Sequence, residues 1–526
     1  MEGVVRRTGR ARGHSQHLPP PSGRTPGHVQ QLDFRSRTAL IVGVTALLCI
    51  VLTCASWLSS DTNLAANILK RKLKNKEEPV TWLKEAVKIP SVSVGEDRSE
   101  KDLIRCRDHF ISLAKAVGLD EVRVVGKSPG VILARSSSAN GKRKVLVYAH
   151  WDVQPARVGE GGWEADPFTL RAASDGRLYG RGASDDKAAL VGWLYTLYQR
   201  NQDGVSLDVD FRLLAEGEEE IGSPNLEEVV KTESQPGGFI DGMEFALISD
   251  GGFIDKRPCV MLSTRGVVHL DIAISGPNSD LHSGTYGGGV HEPLSELVNL
   301  LSTVSDGSGT SKIDGLEALT FEDFDKKELE SFDLDIFAWA NKVGLLRPKT
   351  SEKGKLLRLI WDSTSVTVHG IRASAAYDTA AIPANASAHM SVRIPAGMDP
   401  TKVQMAVKSH LASHFQRFES TNSLQIAFKP GVAGHSTKPG GKLLAASKRA
   451  YRKAFGVDDV QEARLGGSIP VAGMLTAAVK SSEILVVPIS GSEDGAHGYE
   501  SIETKQFAAG IRLFHNLLDE LGTMAP

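Results

Sequence analysis

The sequence predicts an α/β fold: a domain with a mostly parallel central sheet, an inserted smaller α+β domain, and a single N-terminal transmembrane helix ahead of both. Three observations carry this reading. Near-continuous apolar runs such as KVLVYAH, DVDFRLLAE, EFALISD and EILVVPIS alternate with helical stretches such as KAALVGWLYTLYQR, as expected of strands covered on both faces. Between 267 and 433 the pattern shifts to alternating strands, VVHLDIAIS and ASAHMSVRIP, with long polar connections between them. The segment TALIVGVTALLCIVLTCASWLSS, residues 38–60, carries no charge and has the length of a bilayer span, which needs about 20 apolar residues.

In chain order, residues 1–37 hold seven Arg among Pro, Gly and His with almost no acid. Such a composition buries too little apolar area to fold, so a disordered basic tail is expected. The span at 38–60 follows; a cleaved signal peptide is disfavoured by the long charged lead-in, and a buried helix by the lack of a polar face. The arginines favour a cytoplasmic N-terminus, although Lys70, Arg71, Lys72, Lys74 and Lys76 beyond the span oppose it. The expectation is a single-pass membrane protein whose body is lumenal or extracellular. Residues 80–266 and 434–526 are read as the two parts of the α/β domain, with 267–433 as the insert.

Charge excludes one class of function. Lys and Arg number 61 against 63 Asp and Glu, a net charge of -2, so the basic surplus of a nucleic-acid binder is missing. The four cysteines, at 49, 54, 106 and 259, are too scattered for a disulfide framework or a cysteine zinc site. The sequon Asn385-Ala386-Ser387 would be usable only on a lumenal, exposed site.

The stretch AEGEEEIGS (215–223) crowds four carboxylates behind the apolar run VDFRLL. Glu219 and Glu220 lie there just past the end of a predicted strand, as His150 ends KVLVYAH and Asp250 ends EFALISD. The carboxyl ends of parallel strands share the edge at which open α/β sheets bind ligands. Asp185, in GRGASDDK, and His497, in the loop after EILVVPIS, would join them. Three carboxylates and two imidazoles suit a pair of divalent cations with Asp185 as the bridge. Two dications would also overturn the repulsion within the Glu cluster, leaving one Glu on metal and its neighbour free as a base.

HWDVQPA, WEADPF, LYGRGASDDKA, AEGEEEIGS, ISD, DLHSGTYGG, GGSIPV and EDGAHGYES, in this order, resemble the M20 metallopeptidases, and within them the carnosinase and cytosolic non-specific dipeptidase group. The resemblance covers nearly everything after residue 80. It implies a dinuclear metal-binding catalytic domain with an inserted lid that also builds a homodimer. His150 and Asp250 would bind one metal, Glu220 and His497 the other, and Asp185 both. Glu219 matches the general base that takes a proton from the metal-activated water, and Asp152 the residue that orients the His150 ring. His282 resembles the lid histidine that reaches the partner subunit's site. Arg393 matches the arginine that grips the substrate carboxylate, with Gly467 and Ser468 beside it. Thr379 lies near the position of the family's threonine, but its spacing to IleProAla is one residue longer than the pattern.

The resemblance implies hydrolysis of dipeptides or short peptides with a free C-terminal carboxylate, using two divalent ions; zinc is expected, and manganese and cobalt also suit the ligand set. The alternatives are an N-acyl amino acid amidohydrolase on the same scaffold and a non-catalytic, membrane-tethered binding ectodomain. Taken singly, the residues have plainer readings: Asp250 as a turn former, Asp185 as a helix N-cap, His150 as a core histidine. Glu216 and Glu218 read as a solvated or supporting face, and His291, His369, His389 and His435 as structural.

Overall fold

The computed structural model describes residues 79–524 apart from 137–140, 256, 317–325, 378, 438–439, 481 and 492–498. The chain divides into two units, Met1–Asn63 and Leu64–Pro526, and every described residue belongs to the second.

The strands that position the site are β1 (Glu121–Val125), β2 (Val131–Arg135), β3 (Arg143–His150), β4 (Val209–Glu216), β5 (Phe245–Ile248) and β6 (Cys259–Thr264), followed by β7 (Gly266–Ser275), β8 (Ser365–Ala373), β9 (Asn385–Ile394) and β10 (Ser423–Phe428). The last three are β11 (His435–Ser436), β12 (Gln461–Leu465) and β13 (Glu483–Val486). A large sheet has the order β1-β2-β4-β3-β5-β13-β6-β11, with β12 against β6, and a second sheet has the order β8-β9-β7-β10.

The large sheet is mixed rather than mostly parallel. Its centre, β4-β3-β5-β13, is parallel, as is the β12–β6 pair, whereas β1–β2, β2–β4, β13–β6 and β11–β6 are antiparallel. Burial explains the division. Every residue of β4 and β5 is buried, as parallel strands covered on both faces require, while β1 buries none of its residues and pairs as an edge hairpin. The helix Lys187–Gln202, buried along most of its length, covers the centre; its Trp193 stacks on Phe514 with ring centroids 4.0 Å apart and donates to Ser249 Oγ at 2.7 Å. Each such aromatic side chain contributes about 1.5–3 kcal/mol through burial.

The second sheet is antiparallel throughout. Alternation along β7 turns Val268, Leu270, Ile272 and Ile274 into a core shared with Leu297 and Leu300 of the helix Pro293–Leu301 and with Val403, Val407 and Leu411 of Pro400–Gln416. Its period of two sends His269 to the opposite face, and on β9 His389 and Arg393 likewise.

The expected membrane-spanning helix is corrected. Among the described residues no helix is long and apolar enough to cross a membrane. The longest described helix, Thr504–Gly522, is amphipathic and buries Phe507, Ile511, Phe514 and Leu518 against protein. The apolar run 38–60 and the tail before it lie outside the described residues, so charge-free length alone had carried that reading. The single-pass placement with a lumenal or extracellular body depended on this helix and is withdrawn with it.

Candidate metal centre and active site

Register places the first ligands. His150 pairs with Glu216 across β3 and β4, and Tyr148 with Ile248 across β3 and β5, so Asp250, two residues beyond Ile248, leaves the same sheet edge. A nitrogen of His150 and one carboxylate oxygen each of Asp185 and Asp250 lie within 4.8 Å of one another. His150 is fully buried, and its Nε2 stands 3.0 Å from Asp185 Oδ1. Its Nδ1 lies 3.2 Å from the Asp152 carbonyl and 3.3 Å from Asp152 Oδ1.

Asp152 is also the anchor of the Glu pair. Its two carboxylate oxygens accept the backbone N–H groups of Glu219 and Glu220, each at 3.1 Å, and Ser93 Oγ donates to it at 2.7 Å. The chain reaches that turn through Gly217, where an added Cβ would fall 2.5 Å from Trp151 Nε1; a side chain at this point of AEGEEE has no room. Glu220 accepts from Gln154 Nε2 at 2.7 Å.

The electrostatics of this edge are those of buried acids crowded around one imidazole. Burial, and then Asp250, raise the Glu219 carboxyl well above the usual carboxylate range. Burial and Asp185 push Glu220 up to about 8 and Asp250 to about 6. Burial opposes a charged His150 ring, yet Asp152 and Asp185 outweigh it and raise the imidazole well above its ordinary value. Glu219, Glu220 and Asp250 are pushed toward neutrality and the histidine toward charge, so the field is strongly negative and fits bound divalent cations.

Several supporting residues escaped the reading of the sequence. Glu500 is fully buried, and its carboxylate gathers the Asp185 loop: Oε1 accepts from the backbone N–H groups of Ser184 at 2.7 Å and Asp185 at 3.0 Å, and Oε2 from Gly182 N at 2.7 Å and Arg181 Nη1 at 2.9 Å. It lies within EDGAHGYES, and the signal was an acid directly ahead of a short strand, Ser501–Glu503. Asp186, rather than Asp185, occupies the helix N-cap position and makes no capping bond; it accepts the N–H of His150 at 3.1 Å instead. Glu216 and Glu218 are buried, so the solvated reading fails and the supporting one holds. Glu216 accepts from Tyr148 and Ser223, and Glu218 from Arg98 at 2.8 Å.

A guanidinium region borders the acids. Arg393 Nη1 donates to Ser468 Oγ at 2.7 Å, and burial pulls its pKa down against the pull of Glu219. The Gly467 carbonyl accepts the backbone N–H of Arg265 at 3.0 Å, and Arg265 Nε donates to the Gly466 carbonyl at 2.7 Å. Burial and Arg393 lower the Arg265 side chain to about 10.

Other expected residues stand elsewhere. His282 is exposed, on a two-residue strand paired with Ala381–Ile382, and Thr379 is exposed in the turn leading to that partner, its hydroxyl donating to the Ala376 carbonyl at 2.8 Å. The structure therefore brings these two together and, among the described residues, gives neither a hydrogen bond to the acids. His497 lies outside the described residues.

Residues 146–520 match the sequence profile of Peptidase family M20/M25/M40. The chain belongs to this family. The M20 resemblance drawn from the motifs is borne out, and the protein is a metal-dependent hydrolase of the M20 peptidases. This M20 chain is 31% identical over 471 residues to the Cys-Gly metallodipeptidase dug1 of Schizosaccharomyces pombe, covering 86% of the chain and 97% of the relative. It is 32% identical over 394 residues to the Beta-Ala-His dipeptidase of Homo sapiens, covering 73% and 76%. Among solved structures, the dipeptidase Dug1p of Saccharomyces cerevisiae aligns with a TM-score of 0.77 at 27% identity, over 88% of this chain and 99% of that one. Human carnosine dipeptidase 1 aligns at 0.75 and 28%, over 87% and 99%.

Proposed function

We propose that this M20 enzyme hydrolyses dipeptides and other short peptides with a free C-terminal carboxylate, using two divalent ions, and that it does so as a dimer joined through the insert at 267–433. The observation that carries the reading is the buried acid cluster around His150 with Arg393 and Ser468 at its border. His150 and Asp250 would hold one ion, Glu220 and His497 the other, and Asp185 both; zinc suits this set, as does manganese. When bound, the ions lower the pKa of water and polarise the scissile carbonyl.

The chain's own groups do the rest. Glu219, with its neighbour Glu220 serving as a ligand, accepts the proton of the attacking water and returns it to the departing amine. Asp152 fixes both residues through their backbone N–H groups and orients the His150 ring. Arg393 offers a planar fork to the substrate's carboxylate, and Ser468 keeps that fork in place. His282, exposed on its own subunit, is available to a partner's site, where it would stabilise the oxyanion. Thr379 is proposed to contact substrate from the same hairpin.

Two variants probe the supporting parts. Arg393→Lys keeps the charge but removes the fork, and KM for a dipeptide should rise about tenfold or more, the cost of about one charge-assisted hydrogen bond; unchanged KM would detach Arg393 from the substrate. Glu500→Gln loosens the Asp185 loop and should weaken metal affinity about 10- to 100-fold, as loss of an outer partner does; a metal titration that matches the parent would show the loop to be held by other contacts.

The direct test is amino acid release by the metal-loaded chain from Cys-Gly, β-alanyl-His, ordinary dipeptides and N-acyl amino acids. Cleavage of dipeptides alone supports the proposal. Cleavage of the acyl compounds alone would make the enzyme an N-acyl amidohydrolase, and silence on both with metal bound would leave a binding role.

A further inference from the structure

The outer face of the second sheet carries three imidazoles that the proposed reaction does not use. His269, His369 and His389 come from the adjacent strands β7, β8 and β9. Register brings them together: His389 pairs with Asp271, and Ser391 with His269. On the other side Gly370 pairs with His389 and Val368 with Met390, so a bulge leaves His369 as the extra residue between those two rows. The ring centroids of His269 and His389 are 5.7 Å apart, those of His369 and His389 5.4 Å, and those of His269 and His369 6.2 Å. One nitrogen of each ring lies within 4.8 Å of the others.

We propose that His269, His369 and His389 form a further metal site on the sheet face, separate from the acid cluster, for a borderline divalent ion such as zinc, nickel or copper. Three neutral nitrogens match that class, whereas magnesium and calcium prefer oxygen donors. At metal–nitrogen bonds of about 2.0–2.1 Å, tetrahedral ligand nitrogens stand about 3.4 Å apart, a closure that side-chain rotations of partly exposed rings supply.

One further feature supports the site. Asp271 Oδ1 stands 2.9 Å from His389 Nδ1, the carboxylate–histidine arrangement that orients a ring and presents its other nitrogen to metal. Arg393 lies on the same face and opposes a bound cation; Asp271 supplies the compensating charge. Simple ring stacking is the competing account, and it gives Asp271 no part.

The test needs no knowledge of the acid cluster's occupancy. The full-length chain and its His369→Ala/His389→Ala variant are incubated with excess zinc, desalted, and their zinc content is measured by mass spectrometry. The variant should hold one equivalent less per subunit than the parent; equal content would overturn the site. Because misfolding would also lose zinc, zinc-soaked crystals of the parent chain provide a second reading. An anomalous peak among the three rings is expected, and a map with none there would overturn the proposal whatever the variant does.

Discussion

Glu219→Gln should lower kcat for a dipeptide by about 10²- to 10⁴-fold, the usual worth of a positioned general base, while leaving metal content unchanged. The amide keeps the shape of the turn, whose backbone N–H groups, not its side chains, are bound by Asp152. It cannot take a proton. The loss should appear equally in kcat and kcat/KM, because Arg393 and Ser468 still hold the substrate. A variant that loses both metal and activity would move Glu219 among the ligands, and one that stays active would require another base.

Removing the metals should abolish turnover and expose a second, pH-dependent effect on stability. In the metal-free chain Asp250 titrates at about 6 and Glu220 at about 8, against about 4 for each in an unfolded chain. The folded state therefore binds more protons than the unfolded one between those values. Stability from these groups is full below pH 4 and is lost as pH rises through 6 and then 8. The Tm of the metal-free chain should fall between pH 5 and 8 relative to the metal-loaded chain. Loading should restore about 2.7 kcal/mol at a hundredfold excess over Kd. Scanning calorimetry of both forms at several pH values gives the difference directly, and a gap that stays constant over that window would mean that the acids do not repel one another as their burial implies.

What the sequence revealed depended on range. Apolar runs and strand-end acids are local features, so β3, β4 and β5 and the edge carrying His150, Glu219 and Asp250 were legible. The antiparallel flanks were not, because strand direction follows from the connections and β1 shows neither a buried run nor a clean alternation. Glu500 was missed for a related reason: its partners, Gly182, Ser184 and Asp185, lie more than 300 residues away, and nothing near it in the chain announces them. Glu216 and Glu218 misled because acids next to other acids read as solvated, whereas Tyr148, Ser223 and Arg98 satisfy them in the interior. The run 38–60 met the length rule for a membrane span, and length and lack of charge were all that carried that reading.

The central claim is hydrolysis of a short peptide gripped by its free carboxylate beside a metal-holding acid cluster. The most direct measurement compares, on the metal-loaded full-length chain, amino acid release from a dipeptide and from the same dipeptide with its C-terminus amidated. The account predicts rapid cleavage of the free acid and a kcat/KM lower by at least about tenfold for the amide, since a charge-assisted pair with Arg393 is lost. Equal rates on the two, or faster cleavage of the amide, would contradict it.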